Sequence, residues 1–342
     1  MNNDSGVGGG IGGGGVGGGN ILYESSKYYC TKETLHDTIN QFGVAIIPKL
    51  LNDEECNALV SGIWNFFEHI TQLWTIPIKR DISETWKQFY KLYPMHSMLI
   101  QHWGVGHAQV SWDLRQNEKI VDLFSHFWKC SKNDLLVSFD GLSFNPPPEI
   151  TKRGWNKNNT WYHTDQSYTV NDFKCIQSWV TGLDVNDGDA TLSFMEGSNQ
   201  FHKECAETFV ITDKKNWYKL TKEQELFYTS KGCSYKNIKC PKGSLVFWDS
   251  RTIHCGVEAS NEREVSNFRA ILYLCYMPRA LCSKANLKKK QKAFEELRTT
   301  SHWPSNPTLF GKHPRTYGAE LPEITACDKP VLTSLGKMLA GF

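Results

Sequence analysis

Hydrophobic residues in the first third of the chain recur at helical spacing. Between residues 52 and 70 they form one face of an amphipathic helix, made up of Cys56, Leu59, Val60, Ile63, Phe67 and Ile70. Asn52 is followed three residues later by Glu55, a capping pair that marks the start of this helix. A short apolar run at 42–48 ends in proline and predicts a strand, and residues 116–130 predict a second helix.

The pattern changes at Leu135, after which short strand-like runs follow one another. The runs are LLVSF, TWYHTD, CIQSWVTGLDV, TLSFM, GSLVFWDS and FRAILYLCYM. Turn clusters separate them, and few helices intervene, which favours a sandwich or a barrel. We therefore predict an α+β fold with a mainly β core. The core would be a double-stranded β-helix (jelly-roll) barrel over residues 135–280, with N-terminal and C-terminal helices packed on it.

The N-terminus differs in composition from the rest. Residues 6–19 read GVGGGIGGGGVGGG and formally contain the spacing G-x-G-x-x-G. That motif binds dinucleotides only between a strand and a helix, and no strand precedes it here. We interpret residues 1–20 as a disordered tail. Residues 21–342 are then expected to form a single domain, of which 21–134 is helical or mixed.

The C-terminal part, residues 281–342, is predicted to contain one helix and an irregular tail. Leu287, Phe294 and Leu297 fall on one helical face behind Ser283, a candidate cap. The lysine run at 288–292 is interpreted as the solvated side of that helix. Proline-rich sequence after residue 300 predicts no further regular structure.

Composition argues against several classes of protein. Apolar residues make up 40% of the chain and the formal net charge is +2, which suits a globular protein and predicts no strong footprint for nucleic acid, although nucleic acid is not excluded as a substrate. No segment approaches the about 18 apolar residues of a membrane span, and the start lacks the features of a secretion signal. The 11 cysteines are scattered without a C-x-x-C pair, which indicates reduced thiols and a cytoplasmic location.

Three residues have the chemistry of a metal site. His163 and Asp165 stand two apart, so on a strand they would project from the same face. His254 closes the apolar run at 243–253 and is expected at the mouth of the barrel. Two imidazoles and one carboxylate bind iron(II) on one face and leave other positions open. The alternative for each histidine is an ordinary hydrogen-bonded loop or core residue.

Arg269 begins a strand, residues 268–276, that is apolar on both faces. A buried guanidinium without a partner costs several kcal/mol, so it requires a carboxylate, and its shape favours a bidentate one. Asp249 is one internal candidate. The distal carboxylate of a bound dicarboxylate is the other.

These four residues, in this order and strand context, resemble the pattern of the iron(II)/2-oxoglutarate oxygenases, and in particular the phytanoyl-CoA dioxygenase family. The resemblance extends from residue 42 to about residue 280. It is strongest at residues 161–167, 177–179, 195–198 and 243–269.

The resemblance implies a role for each candidate residue. His163, Asp165 and His254 would be the catalytic iron ligands, and Arg269 would anchor 2-oxoglutarate. Trp179 would line the co-substrate site, although a core aromatic is an equal interpretation. Asn145, with Ser143 as a further candidate, would hydrogen-bond the co-substrate. The implied reaction hydroxylates a small-molecule or acyl substrate with O2 and releases succinate and CO2.

Two departures from the family pattern concern the co-substrate. The interval between His254 and Arg269 is long and contains an expanded loop at 258–267, and Gly256 replaces a small hydroxyl residue. A cupin-like metal enzyme that does not use 2-oxoglutarate and a non-catalytic jelly-roll binding protein therefore remain alternatives. We expect substrate contacts from the expanded loop and from residues 75–115. The sequence identifies neither the substrate nor the oligomeric state.

Overall fold

The computed structural model describes residues 21–92, 99–157, 160–315, 318 and 320–342, so the glycine-rich tail predicted at 1–20 lies outside the described residues. The α-helices are α1 Leu35–Phe42, α2 Asp53–Ile70, α3 Gln109–Arg115, α4 Glu118–Trp128, α5 Pro148–Thr151, α6 His202–Thr208, α7 Lys222–Ser230, α8 Lys284–Glu295 and α9 Ser334–Ala340. The strands are β1 Tyr23–Glu24, β2 Val44–Ile47, β3 Leu135–Val137, β4 Leu142–Asn145, β5 His163–Thr164, β6 Ile176–Thr181, β7 Thr191–Met195, β8 Tyr218–Lys219, β9 Tyr235–Ile238, β10 Leu245–Asp249, β11 His254–Val257 and β12 Arg269–Pro278.

The strands form two sheets. The first has the order β1-β9-β7-β11-β5-β8, and the second has the order β2-β10-β6-β12-β3 with β4 also paired to β12. Side chains of both sheets meet in one buried cluster that includes Trp179, Val246 and Ile271 from the second sheet and Leu192 and Phe194 from the first. The architecture is therefore mixed α and β with two packed sheets, as predicted. Neither sheet closes into a barrel among the described residues, so the jelly-roll detail stays a prediction.

The second sheet is buried on both faces, which explains why its strands read as continuous apolar runs. On β12, Ala270, Leu272 and Leu274 belong to the cluster that contains the helix residues Ile63 and Phe67, whereas Ile271 belongs to the cluster between the sheets. The predicted helix at 52–70 is confirmed as α2, with its capping box between Asn52 and Glu55. No helix in the described part of the chain has the length and apolar character needed to cross a membrane.

The C-terminal helix is confirmed as α8, with Ser283 as its N-cap, but the prediction for its lysine run was wrong at one position. Lys290 is fully buried, its Nζ donates to the carbonyl of Val137, and it lies 3.6 Å from the centroid of the Phe139 ring. Burial holds the pKa of Lys290 well below its usual value. A run of lysines therefore does not by itself show that every member of the run faces solvent, because helix packing can bury one of them.

The prediction of an irregular tail after residue 300 was also wrong in part. Helix α9 forms near the C-terminus behind the N-cap Thr333, and Leu339 and Ala340 are buried in the main core. A helix of seven residues is too short to show a repeated apolar face in the sequence. Tertiary packing stabilises it instead.

The cysteines are unpaired, as expected for reduced thiols. All of them lie in the described residues and all are free. Cys175 and Cys275 are the nearest to each other, with 3.2 Å between the two buried sulfur atoms.

Candidate active site

Two short strands of the first sheet bring His163 and His254 together. Strands β5 and β11 are antiparallel, and His254 lies directly opposite His163. The centroids of the two imidazole rings are 4.4 Å apart. Residues far apart in the sequence thus become neighbours through a single strand pair.

His254 does not end the preceding strand, contrary to the sequence prediction. Strand β10 ends at Asp249, the backbone turns where the N–H of Thr252 donates to the carbonyl of Asp249, and His254 begins β11 in the other sheet. The apolar run on both sides of this tight turn resembled one continuous strand. The turn is the feature that moves His254 across to β5.

Asp165 completes the group just beyond the end of β5. Its backbone N–H donates to the carbonyl of Ser250, 3.0 Å away, which fixes the position of the side chain. Its Oδ1 lies 3.5 Å from Nε2 of His163, and its Oδ2 lies 3.2 Å from Nε2 of His254. One ligand atom from each residue falls within 4.8 Å of the others, and all three residues are buried. These atoms can hold one metal ion.

Backbone carbonyls orient both imidazoles toward this point. Nδ1 of His163 lies 3.2 Å from the carbonyl oxygen of Trp161, and Nδ1 of His254 lies 2.9 Å from that of Thr252. Because a carbonyl oxygen can only accept, each Nδ1 donates, and Nε2 is the atom that points to the centre of the group. This orientation is the one that a histidine bound to metal through Nε2 needs.

The electrostatics of the three residues also suit a cation. Burial lowers the pKa of His163, and the neighbouring His254 lowers it further, which favours the uncharged ring. Burial alone would raise the pKa of Asp165, but its interactions with His302 and His163 hold it well below its usual value. Both shifts favour the forms that bind a metal ion, an uncharged imidazole and an ionised carboxylate.

Gln177 was not among the residues singled out from the sequence, yet it contacts this centre directly. Its Nε2 donates to Oδ2 of Asp165 at 2.9 Å. Gln177 lies on β6, two residues before Trp179, so the two side chains share one face of the strand. Gln177 could have been predicted from the sequence, because it is separated from Trp179 by the same two-residue strand period that separates His163 from Asp165.

Arg269 has no carboxylate partner among the described residues. Its Nη1 donates to the carbonyl of Ala190 at 2.7 Å, and its guanidinium carbon lies 5.7 Å from the Trp179 ring centroid. Asp249, the internal partner considered from the sequence, is instead bound by Arg251 through contacts of 2.6 and 3.1 Å. Asn145 lies directly opposite Arg269 in the register of β4 and β12.

Three buried donors in the space between the sheets have no acceptor within the described residues: Nε of Arg269, Nε1 of Trp179 and Nε1 of Trp248. Trp248 lies close to the metal-binding group, with its ring 5.6 Å from that of His254. Leaving such groups unpaired costs free energy, which a bound acceptor would recover. The arrangement suits an anion held beside the histidines.

Comparison with known proteins gives the family. Residues 39–263, more than half of the chain, match the model of the phytanoyl-CoA dioxygenase family. The chain belongs to this family. Its membership confirms the family predicted from the sequence.

Individual relatives are distant. The Ava biosynthesis cluster protein O of Aspergillus versicolor is 26% identical over 211 residues, which cover 59% of this chain. The match spans 65% of the length of that relative. A hypothetical protein of Escherichia coli has a TM-score of 0.54 at 12% identity, covering 92% of this chain and 85% of its own. The protein of GlcNAc-inducible gene 2 from Candida albicans has a TM-score of 0.50 at 14% identity. The match covers 77% of this chain and 67% of the Candida protein. Both structures show a shared fold.

Three further histidines contact other parts of this family member. His107 faces the carbonyl of Arg298, His102 faces that of Gly311, and His202 stacks on Tyr168. His302, in contrast, lowers the pKa of Asp165 by its charge. This influence was not predicted, because His302 follows the last core strand by a long connection.

Trp161 is a further neighbour that the sequence did not single out as functional. Its indole stacks on the imidazole of His163, with 4.8 Å between ring centroids and an angle of 4°. It stands two residues before His163, so the strand period again accounts for the contact. The stacking holds the ring of His163 in place.

Proposed function

We propose that this chain is an iron(II)- and 2-oxoglutarate-dependent dioxygenase that hydroxylates a small-molecule or acyl substrate with O2 and releases succinate and CO2. His163, Asp165 and His254 would be its metal ligands. The observation that carries the proposal is the convergence of these three side chains, whose ligand atoms lie within 4.8 Å of one another in a buried site.

The donor set fits iron(II). Two imidazole nitrogens and one carboxylate oxygen on one side of an ion are the ligands of non-haem iron oxygenases, and they leave positions open for co-substrate and O2. Both Nε2 atoms face Asp165, and Gln177 holds one oxygen of that carboxylate. The residues present therefore fit the metal without rearrangement of the backbone.

The neighbourhood of Arg269 fits the distal carboxylate of 2-oxoglutarate. One N–H of the guanidinium donates to the carbonyl of Ala190, and its other N–H groups can donate to an anion. Trp179 and Asn145 flank it and would line the co-substrate site. Because Asp249 is already paired with Arg251, the internal ion pair that competed with this interpretation is not formed.

When bound, the metal and its co-substrate would supply the oxidising chemistry. The residues of the chain would have other tasks. Trp161 keeps the ring of His163 in position, Gln177 keeps Asp165 in position, and the walls between the two sheets exclude water from the site. Arg269 neutralises the charge of a dicarboxylate in this buried setting.

We also propose that the strands of the two packed sheets between residues 135 and 280 form the predicted jelly-roll core and that residues 21–342 act as one domain. The pairing of β5 with β11 and of β6 with β10 and β12 supports this proposal. The free thiols support a reducing, cytoplasmic location.

One experiment tests the activity. Protein purified without oxygen is supplied with iron(II) and 2-oxoglutarate, and succinate is measured after O2 is admitted. The binding of iron(II) and the binding of 2-oxoglutarate are measured separately. We expect iron(II) and 2-oxoglutarate to bind and succinate to form slowly. His163→Ala and Asp165→Ala should lose the metal and the succinate, whereas His126→Gln, an exposed histidine on α4, should keep both. Metal binding without 2-oxoglutarate binding would favour a cupin-like enzyme, and no metal binding would favour a non-catalytic binding protein.

A further inference from the structure

Strand β8 forms the edge of the first sheet beside the metal-binding residues. It pairs antiparallel with β5, and Lys219 lies directly opposite His163. Directly opposed residues on antiparallel strands project from the same face, with Cβ atoms about 5 Å apart. The side chain of Lys219 therefore starts on the side of the sheet from which His163 reaches the metal site. Lys219 is exposed.

Trp217 shares this face because it stands two residues before Lys219. Its ring centroid is 5.4 Å from that of His163, at an interplanar angle of 31°. Although it touches a buried residue, Trp217 keeps 40% of its surface exposed. An indole left open at the rim of a buried site offers a flat apolar surface to a ligand.

Three lysines stand within three residues of Trp217 in the sequence. Lys214, Lys215 and Lys219 are all exposed, and none of them forms an ion pair with an acidic side chain of the described residues. Asp213 is the acid nearest to them in the sequence, and its carboxylate accepts from the backbone N–H of Lys215. Lysines outnumber acids in this segment, and such an excess of positive charge attracts an anion.

We propose that Trp217 and Lys219 bind the prime substrate, and that this substrate carries a planar, apolar ring system and an anionic group. The ring stacks on the indole of Trp217, and the anion pairs with the ammonium of Lys219. Trp217 contacts the site residue His163, so a ligand bound to this indole lies at the rim of the metal-binding site. This inference rests on the proposed function, because it concerns the substrate of that same site.

Three matched probes test the inference: 2-naphthoate, which is planar and anionic, 2-naphthol, which is planar and neutral, and decahydro-2-naphthoate, which is anionic and saturated. Binding is measured by isothermal titration of the full-length protein with iron(II) and 2-oxoglutarate in the absence of O2. The variants are Trp217→Ala, Trp217→Phe and Lys219→Ala. Lys288→Ala, an exposed lysine on α8, and Leu226→Ala, an exposed apolar residue on α7, are controls.

We expect 2-naphthoate to bind about tenfold more tightly than either other probe, since one lost contact of about 1.4 kcal/mol corresponds to that factor. Trp217→Ala should weaken both planar probes about tenfold, and Trp217→Phe should restore most of the loss. Lys219→Ala should weaken 2-naphthoate but leave 2-naphthol within about twofold of the wild-type value. The two control variants should bind like the wild type. Equal binding of all three probes, no binding of 2-naphthoate, or wild-type affinity in both Trp217→Ala and Lys219→Ala would overturn the inference.

The same titration separates this inference from the proposed function. If the protein holds no iron(II) but 2-naphthoate still binds with the expected dependence on Trp217 and Lys219, the oxygenase proposal fails and the ligand site stands. If iron(II) and 2-oxoglutarate bind and succinate forms, but the affinities of the probes do not change in the Trp217 and Lys219 variants, the proposed ligand site is wrong and the oxygenase proposal stands.

Discussion

Gln177 and Trp179 lie two residues apart on the same face of β6, and each contacts a different part of the site. Gln177 donates to Asp165 at 2.9 Å, and the ring of Trp179 lies 5.7 Å from the guanidinium carbon of Arg269. Two residues of a strand span about 6.6 Å. One strand therefore fixes the separation between the metal-binding group and the anion-binding group.

Gln177→Ala should weaken metal binding because Asp165 loses the donor that orients it. Removing such a supporting hydrogen bond costs about 10- to 100-fold in metal affinity. Competition with a chelator of known affinity measures the effect. Gln200→Ala, which removes an exposed amide that donates to the carbonyl of Gln41, is the control and should match the wild type. An unchanged affinity in Gln177→Ala would show that Asp165 does not need this contact.

Arg269→Ala should weaken 2-oxoglutarate binding and leave metal binding intact. Truncating one partner of a buried charge pair costs about 2 kcal/mol or more, which is roughly 30-fold in affinity. Arg269→Lys should recover only part of this, because an ammonium cannot make a bidentate contact. The measurement is calorimetric titration with 2-oxoglutarate on the iron(II)-loaded protein without O2. Arg153→Ala, which removes an exposed arginine, serves as the control. If the two variants lose the same affinity for 2-oxoglutarate, Arg269 is not the anchor of the co-substrate.

Lys290→Met should stabilise the protein at neutral pH. Among the residues that the structure describes, the buried amino group contacts the carbonyl of Val137 and the ring of Phe139 and pairs with no carboxylate, so its desolvation is poorly offset. Methionine of similar length removes that cost, and we expect a gain of about 1–3 kcal/mol in the free energy of unfolding. Urea unfolding at pH 7 measures it, with the exposed neighbour Lys289→Met as control. A loss of stability specific to Lys290→Met would mean that the buried charge is well compensated.

The stability of the protein should fall as the pH decreases from about 6.5 to about 3, in part because of His107. Burial lowers the pKa of His107 to about 3 from its usual 6.5. Between these values the unfolded chain binds the proton and the folded protein does not, so the unfolded state gains as the pH falls. Above pH 6.5 this contribution is fully present.

His107→Phe tests the pH dependence in the same aromatic cluster of Trp112, Phe139 and Phe294. Thermal unfolding of wild type and variant is followed from pH 7 to pH 4. The variant loses the hydrogen bond to the carbonyl of Arg298, so it should be less stable at pH 7, but its stability should decline less steeply. Parallel curves for the two proteins would assign the acid sensitivity to other groups.

Much of the secondary structure and one part of the candidate site followed from local spacing. The face of α2 and its capping box, the strand β2 and the start of α8 were predictable because each depends on residues a few positions apart. The pairing of His163 with Asp165 was predictable for the same reason.

Other features depended on contacts between distant segments and could not be predicted locally. Lys290 is buried because α8 packs on the segment around Val137 and Phe139, and α9 forms because the core accepts Leu339. His302 reaches the electrostatic environment of Asp165 from beyond the last core strand. None of these relationships has a periodic signal in the sequence.

The sequence by itself determined which side chains could bind a metal and a carboxylate, because ligand chemistry belongs to residue types. Only the tertiary structure decided that His254 crosses to the other sheet and lies opposite His163, and that Arg269 is left without an internal acid among the described residues. The reason is physical: strand pairing and a single tight turn set these distances, and both are fixed by the packing of the two sheets.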